Sequence, residues 1–329
     1  MVAQVAQDSG VEGGGHADRL TAGRAEGKGA PREIRRANLA RRAARLTLAA
    51  MLLGSAAQVL AGEARAHVAH ADALDFLRSL PPACADILAT DPPYSSGGMV
   101  RGDRAKSGLA AAKYGRAEQT AEIHGDTMDA RSYAFWAMLW LREARRVLKI
   151  GAFALVFTDW RQLPNVSDAV QAAGLVWRGV TVWNKGNAMP NKGRFRQDCE
   201  FVVVTTNGPR ACGPKVPEPC YPGCYDVPQD PEDRSDLEDL PAYMRLTLPR
   251  SERRAVCSKP VALMEGLIGP CPAGGVALDP FVGWGATPVA ALRTGRRFLG
   301  CEISEANLST ALGRLAGPEV DQSLPKAAA

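Results

Sequence analysis

Ala85-Asp86-Ile87-Leu88-Ala89-Thr90-Asp91-Pro92-Pro93-Tyr94 is the stretch that decides the fold. Ala85 to Thr90 is an apolar run of strand length, and it reads as a buried strand of a parallel sheet. The two prolines cannot continue the ladder and hold the following turn stiffly. An acid and an aromatic ring are thereby presented at the carboxyl end of a strand, where open α/β sheets place their ligand crevices.

Asp91, Pro92, Pro93 and Tyr94 are the candidate catalytic residues. The tetrad suits chemistry on a planar exocyclic amine, whose lone pair is delocalised into its ring and is a poor nucleophile. Asp91 and the Pro92 carbonyl can each accept one amine hydrogen and so localise that lone pair, while Tyr94 offers a face for stacking. The plainer alternative is an ordinary proline turn in which Asp91 only caps the next helix.

A second strand end lies far along the chain. Gly275 to Leu278 runs into Asp279-Pro280-Phe281-Val282-Gly283-Trp284-Gly285-Ala286-Thr287, and a helix follows to Arg293. Gly283 and Gly285 permit close backbone approach to a ligand at a helix start. Phe298 to Glu302 is another strand, and its terminal acid falls about 20 residues on, where a carboxylate can hold ribose hydroxyls. The alternative, a dinucleotide site, lacks the three-glycine fingerprint.

Between and before these anchors, Ala66 to Asp72 reads as a short strand ending in an acid, and Ala73 to Leu80 as a helix. Ser132 can cap a helix to Leu148. Ala152–Phe157, Leu175–Trp183 and Phe201–Thr206 read as strands, Val166–Ala173 as a helix ending at Gly174, and Ala306–Leu315 as the last helix. Arg101, Arg104 and Lys106 stand in a long aperiodic stretch, and Lys185, Lys192, Arg194 and Arg196 in a second basic one. Both suit contact with a phosphate backbone, and both can equally be solvated surface.

The 329 residues carry a mild net charge of +5, which permits a nucleic-acid partner without requiring one. The eight cysteines form no disulfide framework, so a reduced, cytoplasmic setting is expected. Cys212, Cys220 and Cys224 are too irregularly spaced for a zinc site, and no metal is expected. The apolar run Leu46–Leu60 is too short and alanine-rich for a membrane span. Residues 1–62 read as a disordered extension with a basic and apolar helix, 207–255 as an irregular insertion that could recognise a target, and 317–329 as a disordered tail.

Asp-Pro-Pro-Tyr at 91–94 and Asp-Pro-Phe-x-Gly-x-Gly at 279–285 resemble the catalytic and S-adenosylmethionine motifs of amino-group DNA methyltransferases, in the order of the beta class. Lys259-Pro260-x-x-Leu263-Met264 resembles the helix on the cofactor side, and Asp91–Gly98, Phe157–Leu163 and Trp183–Gly186 resemble phage and prophage methylases. The resemblance implies a single Rossmann-like α/β domain over residues 66–316, a mixed, mostly parallel sheet with helices on both faces. It implies S-adenosylmethionine as methyl donor and double-stranded DNA as partner. Asp279, Phe281, Gly283, Gly285 and Thr287 would line the cofactor, Glu302 its ribose, Asp72 its adenine, and Lys259 and Pro260 its methionine side. It favours adenine N6 over cytosine N4 because the tetrad begins with Asp. Two departures stand out: Ala255-Val256-Cys257-Ser258 replaces a His-x-Thr-x run, and Trp284 fills a position that is usually small. They leave a catalytically inactive DNA-binding relic as the alternative from another class. A cognate restriction nuclease is not readable.

Overall fold

Ala85–Thr90 lies in the middle of a sheet, as its apolar run predicts. The computed structural model describes residues 53–95, 128–185, 195, 198–213, 217–226, 243–245, 259–317 and 320. In chain order the elements are α1 (Ala56–Ala61), β1 (Ala66–His70), α2 (Ala73–Ser79), β2 (Ala85–Thr90), α3 (Ala130–Val147), β3 (Leu148–Thr158), α4 (Leu163–Ala172), β4 (Val176–Asn184) and β5 (Cys199–Thr206). They continue with β6 (Cys224–Asp226), β7 (Tyr243–Arg245), α5 (Val261–Leu267), β8 (Val276–Asp279), α6 (Ala286–Arg293), β9 (Arg297–Glu302) and α7 (Glu305–Leu315).

Among the described residues the strands form one sheet in the order β1-β9-β8-β2-β3-β5-β4-β6-β7. Every neighbouring pair is parallel except the two that involve β5. This is the expected mixed, mostly parallel, Rossmann-like arrangement. Alternation along the strands feeds two cores. Leu88, Leu278 and Leu299 face α2, α3 and α4, whereas Ile87, Ala277 and Phe298 face α5, α6 and α7. From β2 the chain proceeds to β3 on one side, and from β8 to β9 on the other. The sheet order therefore reverses between β2 and β8, and it is outside such adjacent strand ends that open α/β sheets bind their ligands.

Several local devices hold this frame. Asp86 at the start of β2 accepts from the Val276 amide at 2.8 Å and from Lys149 at 2.7 Å, tying β2 to both neighbours. Along α3, Tyr133, Ala137, Trp140, Leu141, Ala144 and Val147 recur at helical spacing and are all buried. Its cap is Asp129 rather than the expected Ser132: the Asp129 carboxylate accepts from the amides of Arg131 and Ser132 and from the Ser132 hydroxyl. Near the end of α3, Arg146 donates to the Leu77 and Leu80 carbonyls and closes α2.

Two expectations about boundaries change. Residues 53–62 pack on the domain instead of lying outside it. Ser55 and Gln58 form a capping box for α1, Val59 is fully buried, and Arg297 donates to the Val59 and Leu60 carbonyls at 2.6 and 3.0 Å. The alanine-rich run hides this, because a single valine supplies the buried contact. Within 207–255, read as irregular, β6 and β7 extend the sheet beyond β4; three-residue strands are too short to show a period. The acidic stretch Asp230–Asp239, residues 1–52 and residues 321–329 lie outside the described residues. No helix of the described residues is long and apolar enough to cross a membrane.

Burial of Val59 and the two hydrogen bonds from a charged donor should together contribute about 3–5 kcal/mol. A chain beginning at Glu63 should therefore unfold at lower urea than one beginning at Met51. Equal midpoints would show that α1 adds nothing to the fold.

Candidate active site at the ends of β2 and β8

The two strand ends are joined through one buried carboxylate. Asp279, the last residue of β8, accepts from the Thr90 hydroxyl at 2.6 Å, the Thr287 hydroxyl at 2.6 Å and the Phe281 amide at 2.9 Å. Burial pushes its pKa up to about 6 against these donors. Thr287 is thus a structural partner of Asp279 in this structure. The Phe281 ring packs edge-on against Trp136 and Trp140 of α3, with centroids 5.6 and 5.1 Å away.

The glycine turn separates two roles. Gly285 has φ 86 and precedes α6, and a Cβ there would lie 3.0 Å from the Ala311 backbone on α7. Its lack of a side chain is required by helix packing, before any ligand is considered. Gly283 has φ 53, and a Cβ there would meet nothing closer than the Phe281 carbonyl oxygen at 4.0 Å. Open space beside the backbone therefore exists at Gly283. Its amide donates to Glu302 at 2.8 Å, and the other Glu302 oxygen accepts from the Ser304 amide at 2.9 Å. A carboxylate has about four lone-pair directions, so Glu302 keeps capacity for ligand hydroxyls. Trp284 is accommodated against α7, its indole N–H donating to Asn307 at 3.1 Å. Asp72 caps α2 through the Leu74 amide at 2.8 Å and is exposed at the end of β1, the strand beside β9.

At the end of β2, Asp91 is the centre of a charged cluster. Its Oδ1 accepts from the Tyr94 hydroxyl at 2.6 Å, and its Oδ2 from Lys259 Nζ at 2.5 Å. Glu200, near the start of β5, lies 3.0 Å from both the Tyr94 hydroxyl and Lys259 Nζ, and its other oxygen accepts from Lys185 at 2.8 Å. Lys259 is only 8% exposed, and its ammonium also faces the rings of Phe157, Tyr94 and Trp183 at 5.0, 5.4 and 5.8 Å. Pro92 is buried, and Pro93 and Tyr94 are partly buried. Ser95 follows in the left-handed region at φ 51, its hydroxyl oxygen accepting from the Met128 amide.

Electrostatics fix most protonation states here. Burial pushes Glu200 up, but Lys259 and Lys185 outweigh it and hold its pKa at about 2. Burial alone would lower Lys259, yet Asp91 and Glu200 raise it above its usual value. Burial, then Asp91 and Glu200, push the Tyr94 phenol well above its ordinary range. Asp91 is raised by burial, lowered by Lys259 and raised again by Glu200, with a net upward shift.

The structure thus brings Asp91, Tyr94 and Lys259 together, whereas the sequence reads Lys259 as facing a cofactor. Pro260 caps α5 beside it. Lys185, read as a phosphate contact, is engaged by Glu200. Arg101, Arg104, Lys106, Lys192, Arg194 and Arg196 lie outside the described residues. Glu200 has no motif; its one signal is an acid entering the apolar strand Phe201–Thr206. Among the described residues no cluster of His, Cys, Asp or Glu is arranged to hold a metal ion.

The model of the N6/N4 DNA methylase family matches residues 85–312. The Type II methyltransferase M.ScaI of Streptomyces caespitosus is 25% identical over 268 residues, covering 75% of this chain and 80% of its own. The structure of the M1.HpyAVI–SAM complex superposes with a TM-score of 0.51 at 20% identity, covering 76% of this chain and 98% of its own. The cytosine-N4-specific PvuII DNA methyltransferase gives a TM-score of 0.52 at 14% identity, over 80% of this chain and 89% of its own.

The two glycines should respond differently to alanine. Gly283→Ala carries only a left-handed backbone penalty of about 1–2 kcal/mol. Gly285→Ala adds a collision with α7, worth about 1–3 kcal/mol more. Urea denaturation reads both, and the reverse order would mean that α7 does not press on the turn.

Proposed function

This chain belongs to the N6/N4 amino-group DNA methylase family, and from that premise we propose that it transfers a methyl group from S-adenosylmethionine to the exocyclic amine of adenine N6 in double-stranded DNA. The observation that carries the reading is the placement of Asp91 beside Tyr94 at the end of β2, hydrogen-bonded through Thr90 to the strand whose glycine turn faces Glu302. The open space at Gly283 and the remaining lone pairs of Glu302 fit the cofactor's ribose and nearby backbone. Asp72 at the neighbouring strand end suits the adenine side. When bound, S-adenosylmethionine supplies a methyl group already activated on a sulfonium, so the proposal needs no metal.

The chain's own residues do the rest. The target base leaves the stack, which costs a few kcal/mol, and stacking on Tyr94 returns about 1–3 kcal/mol. Asp91 accepts one amine hydrogen and the Pro92 carbonyl the other, which turns the lone pair out of conjugation. The Asp91 charge then stabilises the positive charge that develops on nitrogen. The preference for adenine rests on Asp at the head of the tetrad; cytosine N4 is the competing target, since the fold is shared with a cytosine-N4-specific enzyme. Arg101, Arg104, Lys106, Lys192, Arg194 and Arg196 are assigned to DNA phosphates, with 207–255 as the region that reads the target.

Asp91→Ala should lower methyl transfer by orders of magnitude, since each 1.4 kcal/mol of lost transition-state stabilisation is about tenfold in rate. Affinity for S-adenosylmethionine should change far less. Asp91→Asn should fall between the two, because it keeps an acceptor oxygen without the charge. Transfer of radiolabelled methyl to unmethylated DNA, followed by identification of the modified base, tests both the residue and the target. Wild-type rates for Asp91→Ala would overturn the assignment.

A further inference from the structure

Tyr94 has one hydroxyl hydrogen and two carboxylates within reach, Asp91 Oδ1 at 2.6 Å and Glu200 Oε2 at 3.0 Å. Lys259 stands in the same position between them, 2.5 Å from Asp91 Oδ2 and 3.0 Å from Glu200 Oε2. Both donors lean toward Asp91, so each of its oxygens already accepts one short hydrogen bond. An incoming amine can use a remaining lone pair, but it competes with these donors for the carboxylate's charge. We propose that Glu200 is a positioning residue that takes over the Tyr94 and Lys259 donors when a target base enters, releasing Asp91 to accept the amine. The inference rests on the reading of Asp91 given above.

The geometry suits such a handover. Glu200 already touches both donors, so each can swing toward it, lengthening its bond to Asp91 beyond hydrogen-bonding range while keeping a carboxylate partner throughout. Lys185 holds the other Glu200 oxygen at 2.8 Å and anchors the carboxylate while the donors shift. Among the described residues the cluster contains two ammonium groups and two carboxylates, and the handover leaves that sum of charges unchanged. Without Glu200, Lys259 would have one carboxylate fewer to meet it on leaving Asp91, and drawing a buried ammonium from its counter-charge is strongly unfavourable. Drawing Lys259 away has a second effect. An ammonium against Asp91 opposes the positive charge that builds on the amine, and distance weakens that opposition.

Among the described residues, the groups that face Asp91 are Lys259 before α5, Glu200 on β5, Tyr94 on its own loop and Asp279 at the end of β8. Replacing Glu200 by Gln removes one negative charge from this set and one of the two carboxylates that attract Lys259. Both changes ease ionisation of Asp91, so the acid limb of the pH–rate profile should move to lower pH. At the same time Asp91 is held more firmly, so the plateau rate should fall.

The test is single-turnover methyl transfer by the full chain, with tritiated S-adenosylmethionine and whole-genome-amplified, hence unmethylated, DNA. For Glu200→Gln we expect a plateau at least ~tenfold lower, an acid limb displaced to lower pH and unchanged S-adenosylmethionine affinity by calorimetry. Glu200→Asp keeps the charge one methylene further away and should fall between Gln and wild type, with its limb unmoved. A wild-type plateau in either variant, or a slower Glu200→Gln whose limb has not moved, overturns the inference. Asp91→Ala, run alongside, separates the two levels. If it is inactive while Glu200→Gln is unimpaired, only the handover falls. If it is active, the role of Asp91 itself falls.

Discussion

The hydrogen bonds that converge on Asp279 are the constraint on which the rest of the site depends. Thr90 ends the strand that carries Asp91, and Thr287 lies in the first turn of α6, behind the glycine turn. One buried carboxylate therefore sets the distance between the two strand ends. Three donors compensate a burial that would otherwise favour the neutral acid. The same need for closeness recurs at Gly300 on β9, where a Cβ would lie 2.5 Å from the Asp279 carbonyl oxygen. The strand next to β8 is thus stripped of its side chain where the carboxylate strand must be held tightly.

The charged cluster works on a different principle. Each member is paired, and burial makes each pair depend on the others. Removing one partner from such an arrangement is far more damaging than its geometric contact suggests, because a buried charge is left uncompensated. The aromatic rings around Lys259 contribute to holding its ammonium out of water.

What could be read from the chain was local. β2 and β8 are short apolar runs closed by an acid and a proline, and the Asp91 tetrad, the Gly283 turn and Glu302 each lie within a few residues of a strand end. The partnership of Glu200 with Asp91 spans about a third of the chain and leaves no pattern near either residue. Lys185 and Lys259 look like cations seeking a ligand until the fold shows that Glu200 engages both and Asp91 also engages Lys259. Gly285 illustrates the converse: a glycine in a ligand-binding motif can be demanded by a helix across the chain, here through Ala311. A helix before Gly62 was legible, but its packing on the domain was not, because one buried valine in an alanine-rich run has no period to detect.

β5 is the one strand that runs against its neighbours. Its first residues therefore lie at the same edge of the sheet as the last residues of β2, β3 and β8, which is how Glu200 reaches Asp91. The connection leading into it opens at that edge too, and the Lys185 amide, bonded to the Asp198 carbonyl at 2.8 Å, clamps its base. Residues can be gained or lost beyond that clamp without altering the pairing of Asn184 with Cys199. The length of that connection is thereby uncoupled from the integrity of the sheet, and with it from the position of Glu200.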